Sequence, residues 1–224
     1  MAGRRTTTRE RLVRTAAELF WRQGYAATGV NAIMQQAGAT SGSFYHFFPT
    51  KEDLLLAVLD HVGDVVEDEV FGAAEVATDD PIERIFAVVG FYRRHLEDNK
   101  FVLGSPLGTL AAELGEDHAQ VRLKLEQLLA SWAQRMEGFL DAVGKRLPDG
   151  TDRTALARLV LSAVEGAVIQ ARVARSVAPF DAVTSQLQSY LELLAGHDLT
   201  AAPAAIRTPS LPRQRSRELD WRAW

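Results

Sequence analysis

Seven polar side chains between positions 28 and 51 are of the types that bind phosphodiesters and base edges: Thr28, Thr40, Ser41, Ser43, Tyr45, His46 and Lys51. Hydroxyls, cations and backbone amides at helix starts bind phosphate oxygens, while short polar side chains let a helix approach the bases. Each residue alone has a plainer interpretation as a helix cap or a solvated side chain. Because they occur together, the group predicts a contact with double-stranded DNA.

Two short helical patterns must position these side chains. They are joined by the turn Gly38-Ala39-Thr40-Ser41, and Pro49 ends the second of them. Thr28 is expected to cap the first pattern, and Thr40 or Ser41 the second. In a helix-turn-helix, the second of two such helices enters the major groove.

The remaining chain also has helical periodicity, so the predicted fold class is all-α. The other expected helices cover about Thr8–Gln23, Thr50–Glu75, Pro81–Asp98, a short stretch with Leu107 and Leu110, His118–Arg146, Asp152–Arg175 and Pro179–Leu194. The predicted domains are a helix-turn-helix domain at 1–50 and a helical effector-binding and dimerisation domain at 51–195. The proline-rich stretch 196–224 is expected to be a flexible tail.

The cysteine count, the charge distribution and the apolar runs limit the kinds of site, partner and location that the chain can have. The chain has no cysteine, which excludes disulfides and thiolate metal sites. Residues 1–51 hold seven basic and two acidic residues, a net +5, and the whole chain carries −4, so the rest carries −9. A basic front suits a polyanionic partner. The start of the chain lacks a signal-peptide pattern and the apolar run Leu54–Leu59 is too short to cross a membrane, which predicts a cytoplasmic protein.

The helix-turn-helix region carries a family pattern: Gly24-Tyr25, Ala27-Thr28, Ile33, Ala37-Gly38, Ser41-Gly42, Phe44-Tyr45, Phe48, Lys51-Glu52 and Leu54. Over about 50 residues this resembles the DNA-binding domain of the TetR family of transcriptional repressors. The resemblance implies an all-helical homodimer on a palindromic operator, with a ligand-responsive C-terminal domain. It also implies phosphate contacts by Thr28, Thr40 and Tyr45, base contacts by Ser41, Ser43 and His46, and a basic role for Lys51.

The body of the chain resembles one subgroup of multidrug- and antibiotic-responsive repressors at Gly104–Leu114 and Glu165–Ala167. A small hydrophobic effector is expected to bind between about residues 81 and 175. The candidate apolar lining residues are Phe91, Phe101, Leu107, Leu110, Trp132, Met136 and Ile169, with Glu165 and Gln170 as polar anchors. The alternative is that these residues form ordinary core.

The last two helices are expected to form a four-helix dimer interface with those of a second subunit. The apolar residues behind this expectation are Leu156, Leu159, Ala163, Ala167 and Ala171 on one helix, and Phe180, Val183, Leu187, Tyr190, Leu191 and Leu194 on the other. The alternative is that both faces only close the core of one subunit.

Two other classes of function stay open at this point. A helical enzyme lacks support, because the sequence has no glycine-rich phosphate loop, no GxSxG and no cysteine nucleophile, so no catalytic residue or cofactor is predicted. His61, Asp64 and Asp68 at i, i+3 and i+7 form either a metal-binding face or, more simply, a solvated acidic face. The third possibility is a DNA-binding protein without an effector. Arg4 and Arg5 are candidates for an arm in the minor groove.

Overall fold

A computed structural model describes residues 7–114 and 118–196, and within these ranges every regular element is helical. The α-helices are α1 (Thr8–Gln23), α2 (Val30–Ala37), α3 (Ser41–Phe47), α4 (Lys51–Val66), α5 (Ala73–Ala77), α6 (Pro81–Asp98), α7 (Pro106–Glu113), α8 (Ala119–Val143), α9 (Arg153–Ala174) and α10 (Ala178–Leu194). The predicted all-α class is confirmed. Arg4, Arg5 and the predicted tail beyond Gly196 lie outside the described residues.

Local signals set most helix starts. Thr7 and Glu10 form a reciprocal capping box on α1, and Thr50 and Asp53 form another before α4. At α6, the carboxylate of Asp80 accepts hydrogen bonds from the N–H groups of Ile82 and Glu83, with Pro81 in the first helical turn. These caps satisfy backbone donors that have no partner inside the helix.

A π-helical turn, Glu67–Gly72, connects α4 to α5, so the chain stays helical from Lys51 to Ala77. This agrees with the helix predicted to reach about Glu75. The extra residue per turn shifts the buried positions, and Val70 and Phe71 are both buried within it.

The described chain divides into two compact units. Among the described residues, the first contains those up to 64 together with 106–127, and the second contains 65–105 and those from 128 onward. Compact units need not coincide with functional domains, so the boundary predicted at residue 50 stays a prediction.

In the first unit, α1 packs against α2, α3 and α7. Its core consists of large apolar side chains that are almost completely buried: Leu12, Phe20, Ile33, Phe44, Phe48 and Leu54. Arg11 adds a polar link, because its Nε donates to the carbonyl of Ala37 at 3.1 Å. Burial of α1, α2 and α3 around one core fixes which side of α3 faces outward.

In the second unit, α9 packs along α10, and both pack against α6. The core contains Ile85, Phe86, Leu96, Trp132, Met136, Val160, Phe180 and Leu191. Arg93 on α6 joins α10 through two hydrogen bonds of 2.8 and 3.0 Å to the carboxylate of Asp181. This Arg93–Asp181 pair links the two helices at the edge of the unit.

Among the described residues, α9 is the one helix that is long and apolar enough, by length and composition, to cross a membrane. One face of α9 is core of the second unit, with Ala157, Val160, Val164 and Ala171 buried. Core helices of soluble proteins pass the same test, so this feature is weak support for a membrane span.

Candidate nucleic-acid interface

Helix α3 presents its polar side outward, as its sequence predicts. The hydroxyl of Thr40 accepts a hydrogen bond from the N–H of Ser43 at 3.2 Å and so caps the helix. Ser41 and His46 are exposed, and Tyr45 keeps 54% of its surface accessible. The opposite side is anchored because Phe44 is completely buried and Phe48 nearly so. The exposed side therefore offers hydroxyl and imidazole groups on a rigid support.

The turn before α3 requires a left-handed residue. Gly38 ends α2 with φ of 60° and ψ of 40°, and the N–H of the following Ala39 donates to the carbonyl of Met34. Glycine adopts this conformation without a steric penalty. The sharp turn gives the α2–α3 pair its helix-turn-helix geometry.

Ser43 is only partly exposed, and it is tied to the cap of its own helix. Its Oγ lies 3.0 Å from Oγ1 of Thr40, which donates to it. Ser43 is less exposed than Ser41 and His46, but its hydroxyl proton is not used in the bond from Thr40. Its predicted contact with bases stays a prediction.

The prediction that Thr28 caps α2 is wrong. The residue at the cap position is Gly29, which provides no side chain, and the side chain of Thr28 is completely buried. Its hydroxyl donates to the carbonyl of Gly24 at 2.6 Å and accepts from Nε2 of Gln23 at 3.2 Å. Thr28 therefore closes the turn between α1 and α2, and its hydroxyl is not presented to a phosphate.

Lys51 is partly exposed, and its ammonium group already has partners within the first unit. Its ammonium group donates to the carbonyl of Tyr25 and lies 4.0 Å from the centre of the Tyr25 ring. Burial lowers the pKa of Lys51, and the nearby carboxylate of Glu113 acts in the opposite direction. The turn holds this cation by hydrogen bonding and by its attraction to the aromatic face, so the partly buried Lys51 links α4 to the turn after α1.

A salt titration separates the two roles of Lys51. We expect Lys51→Gln to leave the slope of log affinity against log salt concentration unchanged on operator DNA. If Lys51 neutralised one phosphate in each subunit, the slope of a dimer would become shallower by about 2. The measurement is operator binding between low and high salt by fluorescence anisotropy, with Arg9→Gln on the exposed end of α1 for comparison.

Phe47 is 37% exposed on α3, next to the ring of His46, because Phe44 and Phe48 at i and i+4 already occupy the inner face. One further contact of the first unit is not apparent from the sequence. Glu113 contacts the turn after α1 from α7, and no local pattern reports a contact between residues that are 88 positions apart.

The predicted effector-site residues divide into two groups. Phe91, Leu107, Leu110, Trp132 and Met136 are buried, and Phe101 is partly buried. Ile169 is 60% exposed and Gln170 is also exposed, because both lie on the side of α9 away from the core of its unit. The assignment of Ile169 and Gln170 to an internal lining was wrong.

Three polar side chains interact in the second unit: Glu165 on α9 is half-buried, and Ser105 and Tyr92 are buried. Burial raises the pKa of Glu165, and a hydrogen bond from Ser105 acts in the opposite direction. Tyr92 is buried nearby, and burial followed by the charge of Glu165 raises its pKa. Glu165 is thus a half-buried carboxyl with a hydroxyl partner, and its predicted role as a ligand anchor stays a prediction.

His95 on α6 is 3% exposed, and its Nε2 lies 2.8 Å from the side-chain amide nitrogen of Asn99. Burial lowers the pKa of His95 to about 4. In the unfolded chain the imidazole has a pKa of about 6.5, so it takes up a proton at a higher pH than in the folded protein. The contribution of His95 to the free energy of unfolding is therefore complete above pH 6.5 and is lost as the pH falls toward 4. The expected loss is about 3 kcal/mol of unfolding free energy.

We expect His95→Gln to reduce the pH dependence of the free energy of unfolding between pH 6.5 and 4. Glutamine can accept the same hydrogen bond from Asn99 but cannot take up a proton in this range. The measurement is denaturant unfolding of both proteins at several pH values, and equal slopes for the two would contradict the prediction.

An exposed apolar stripe runs along α9 and α10. On α9 it contains Leu159, Ile169 and Val173, and on α10 Tyr190 and Leu193, each at least 45% exposed. Ser162 and Gly166 lie between them at helical spacing. Several residues predicted to form the dimer face are instead core of the unit: Leu156, Ala167, Ala171, Phe180, Leu187 and Leu191. Large exposed apolar patches mark interaction surfaces in soluble proteins.

No three His, Asp, Glu or Cys side chains within 7–114 and 118–196 are placed to hold a metal ion. Of the predicted alternative set, His61 is half-buried, and Asp64 and Asp68 are exposed. Burial, followed by the charge of Arg14, lowers the pKa of His61, and Asp64 acts in the opposite direction.

The fold and the capped, outward-facing α3 define the chain as a helix-turn-helix protein. Residues 12–58 match the sequence profile of bacterial regulatory proteins of the tetR family. Residues 81–186 match the C-terminal domain of LmrA/YxaF-like transcriptional regulators. The resemblance drawn from the sequence is therefore confirmed.

Similar proteins carry consistent descriptions. The chain is 33% identical over 188 residues to the uncharacterized HTH-type transcriptional regulator Rv0196 of Mycobacterium tuberculosis, covering 82% of this chain and 93% of that one. It is 28% identical over 186 residues to the HTH-type transcriptional regulator LmrA of Bacillus subtilis, covering 82% and 96%. The chain belongs to the TetR family of transcriptional regulators, a class of DNA-binding proteins and not of enzymes.

Solved structures agree on the fold. A TetR transcriptional regulator from Chloroflexus aurantiacus superposes with a TM-score of 0.73 at 28% identity, covering 82% of this chain and 93% of the other. The regulatory protein TetR from Rhodobacter sphaeroides also gives 0.73, at 24% identity, covering 81% and 97%. The second comparison supports the fold alone.

Proposed function

We propose that the protein is a ligand-responsive repressor that binds a palindromic operator as a homodimer and is released by a small hydrophobic effector. The observation that carries the proposal is the outward face of α3, where Ser41, Tyr45 and His46 are exposed on a helix capped by Thr40. We assign base contacts to Ser41, Ser43 and His46, and phosphate contacts to Thr40 and Tyr45. Thr28 is left out because its side chain is completely buried, and Lys51 because its ammonium group is bound to the carbonyl of Tyr25.

The exposed stripe on α9 and α10 supports the dimer. Pairing two such helix pairs buries these apolar side chains in a four-helix interface. A symmetric dimer places two recognition helices against successive major grooves, about 34–36 Å apart. This explains why a palindromic operator is expected.

Effector response requires two conformers with different affinity for DNA. An effector that binds more tightly to the conformer with the wrong half-site geometry shifts the population toward that conformer. The resulting loss of operator affinity is limited by the ratio of the effector's affinities for the two conformers. Phe91, Trp132 and Met136 provide the apolar character of the proposed site, and Glu165 its polar anchor. The repressor is expected to act in the cytoplasm, where the chromosomal DNA lies.

Footprinting on the DNA upstream of the gene and its neighbours tests the proposal. The expected result is one protected region with two inverted half-sites, separated by about one helical turn. A ligand screen for release of labelled operator follows. Binding that responds to no ligand would favour a DNA-binding protein without an effector, and binding that barely changes with salt would exclude the operator mechanism.

A further inference from the structure

We propose that Glu113 is a positioning residue for DNA binding: it anchors the turn between α1 and α2 and thereby sets the orientation of the helix-turn-helix. We call its contact with the N–H groups of Tyr25 and Ala26 the Glu113 latch. The inference rests on the proposed function, and it assigns a role in operator recognition to a residue outside the predicted DNA-binding domain of 1–50.

The geometry of the latch is that of an occupied anion site. The N–H of Tyr25 donates to Oε2 of Glu113 at 2.7 Å, and the N–H of Ala26 donates to Oε1 at 2.6 Å. Two consecutive amides that point the same way form a concave site for an anion. A carboxylate fits because it has two acceptor oxygens, and charge-assisted bonds of this kind are short and strong.

Gly24 makes this close approach possible. Its φ is 89°, and a Cβ added there would lie 2.8 Å from Oε2 of Glu113. Such a contact is too short for real atoms, and the side chain of any other residue would push the carboxylate away. The glycine therefore serves the latch as well as the C-terminus of α1.

Cations and aromatic rings surround the same turn. The ammonium of Lys51 donates to the carbonyl of Tyr25, and its charge is close enough to interact with Glu113. The ring of His118, just before α8, packs edge-on against the Tyr25 ring, and its Nδ1 lies 2.8 Å from Oε2 of Glu52. The turn is thus held from α4 and from both sides of the α7–α8 connection.

The Glu113 latch connects movement of α7 to movement of α2. The turn leads directly into α2, which is followed by the recognition helix α3. The chain enters α7 from residues 99–105 of the second unit, and the last residue of α7 is Glu113. A shift along α7 therefore reaches α2 through two hydrogen bonds. In Glu113→Gln the carboxamide retains one of the two acceptor oxygens, whereas in Glu113→Ala the methyl group retains neither.

The test compares Glu113→Ala, Glu113→Gln and the matched control Glu126→Ala in the full-length dimer. Glu126 is an exposed glutamate on α8 of the same unit. The first readout is hydrogen exchange at the amides of Tyr25 and Ala26. We expect exchange about tenfold faster or more in Glu113→Ala, a smaller increase in Glu113→Gln, and no change in Glu126→Ala.

The second readout is the preference for half-site spacing, measured on DNA selected by the wild-type protein. Operators with one or two base pairs inserted at the centre are compared with the selected operator. The affinity ratio is the affinity for the selected operator divided by the affinity for an operator with inserted base pairs. We expect Glu113→Ala to reduce this ratio by about fivefold or more, with unchanged preference for bases inside each half-site. A purely structural role would change unfolding without changing this ratio.

The outcomes separate the two proposals. If the wild-type protein selects paired half-sites but Glu113→Ala keeps the same spacing ratio, the latch is overturned while the operator function stands. If Glu113→Ala does not fold, Glu113→Gln gives the same decision. Wild-type protein that selects no duplex would overturn the operator function and, with it, the role of the latch in spacing.

Discussion

Replacing Val173 with glutamate is expected to yield a monomer with operator affinity reduced by about 10³-fold or more. Val173 is 84% exposed in the single chain, at one end of the apolar stripe on α9. In a symmetric dimer the substitution places a carboxylate from each subunit in one apolar interface, where neither has a partner.

The size of the effect follows from the two half-sites. A dimer binds the second half-site as an intramolecular step at a high effective concentration, whereas a monomer has only one recognition helix. Specific dimers reach dissociation constants of about 10⁻⁸ to 10⁻¹¹ M, while non-specific binding lies near 10⁻⁴ to 10⁻⁶ M. Losing the dimer moves the protein from the first range toward the second.

Val76→Glu is the matched control. Val76 is 69% exposed near the end of α5, so the two variants make the same change at exposed valines near helix ends. Light scattering after size-exclusion chromatography gives the mass, and anisotropy gives the affinity. We expect Val76→Glu to remain dimeric. A dimeric Val173→Glu with wild-type affinity would refute the proposed interface.

Replacing His46 with alanine is expected to lower affinity for the operator by about 30-fold to 10⁴-fold. A lost contact to a base edge costs about 1–3 kcal/mol, and a dimer loses it at both half-sites. His46 is exposed in the last turn of α3, so the change removes no core packing. We therefore expect the free energy of unfolding to change by less than about 1 kcal/mol.

Random-sequence DNA provides the internal control for His46→Ala. Contacts to phosphates dominate non-specific binding, and His46 is assigned to bases, so affinity for random DNA should stay constant. Competition binding at one fixed salt concentration measures both affinities. An equal loss on operator and random DNA would assign His46 to the backbone instead.

If the Glu113 latch acts as proposed, residues that position the helix-turn-helix lie outside the predicted DNA-binding domain of 1–50. Tyr25 and Ala26 lie between α1 and α2, yet both are bound by Glu113 of α7, and Tyr25 is also contacted by Lys51 of α4 and by His118 just before α8. Variants at Glu113 are therefore expected to affect operator recognition through the turn that Glu113 binds.

The amino-acid sequence alone determined the helices and the exposed face of α3. The predicted bounds of α1 and α6 match those observed, because caps such as Thr7 and Asp80 and the 3.6-residue apolar period are local properties. The same holds for Tyr45 and His46, which point outward because Phe44 and Phe48 occupy the inner side.

Tertiary structure decided what local patterns leave open. Thr28 and Lys51 have the residue types of a DNA contact, but packing turned one inward and gave the other a carbonyl and an aromatic ring as partners. Helix α9 is apolar on most sides, so its period did not reveal that Ala167 would be core and Ile169 exposed. Contacts such as Glu113 to Tyr25 join distant parts of the chain, and only the packed fold brings their atoms within bonding distance.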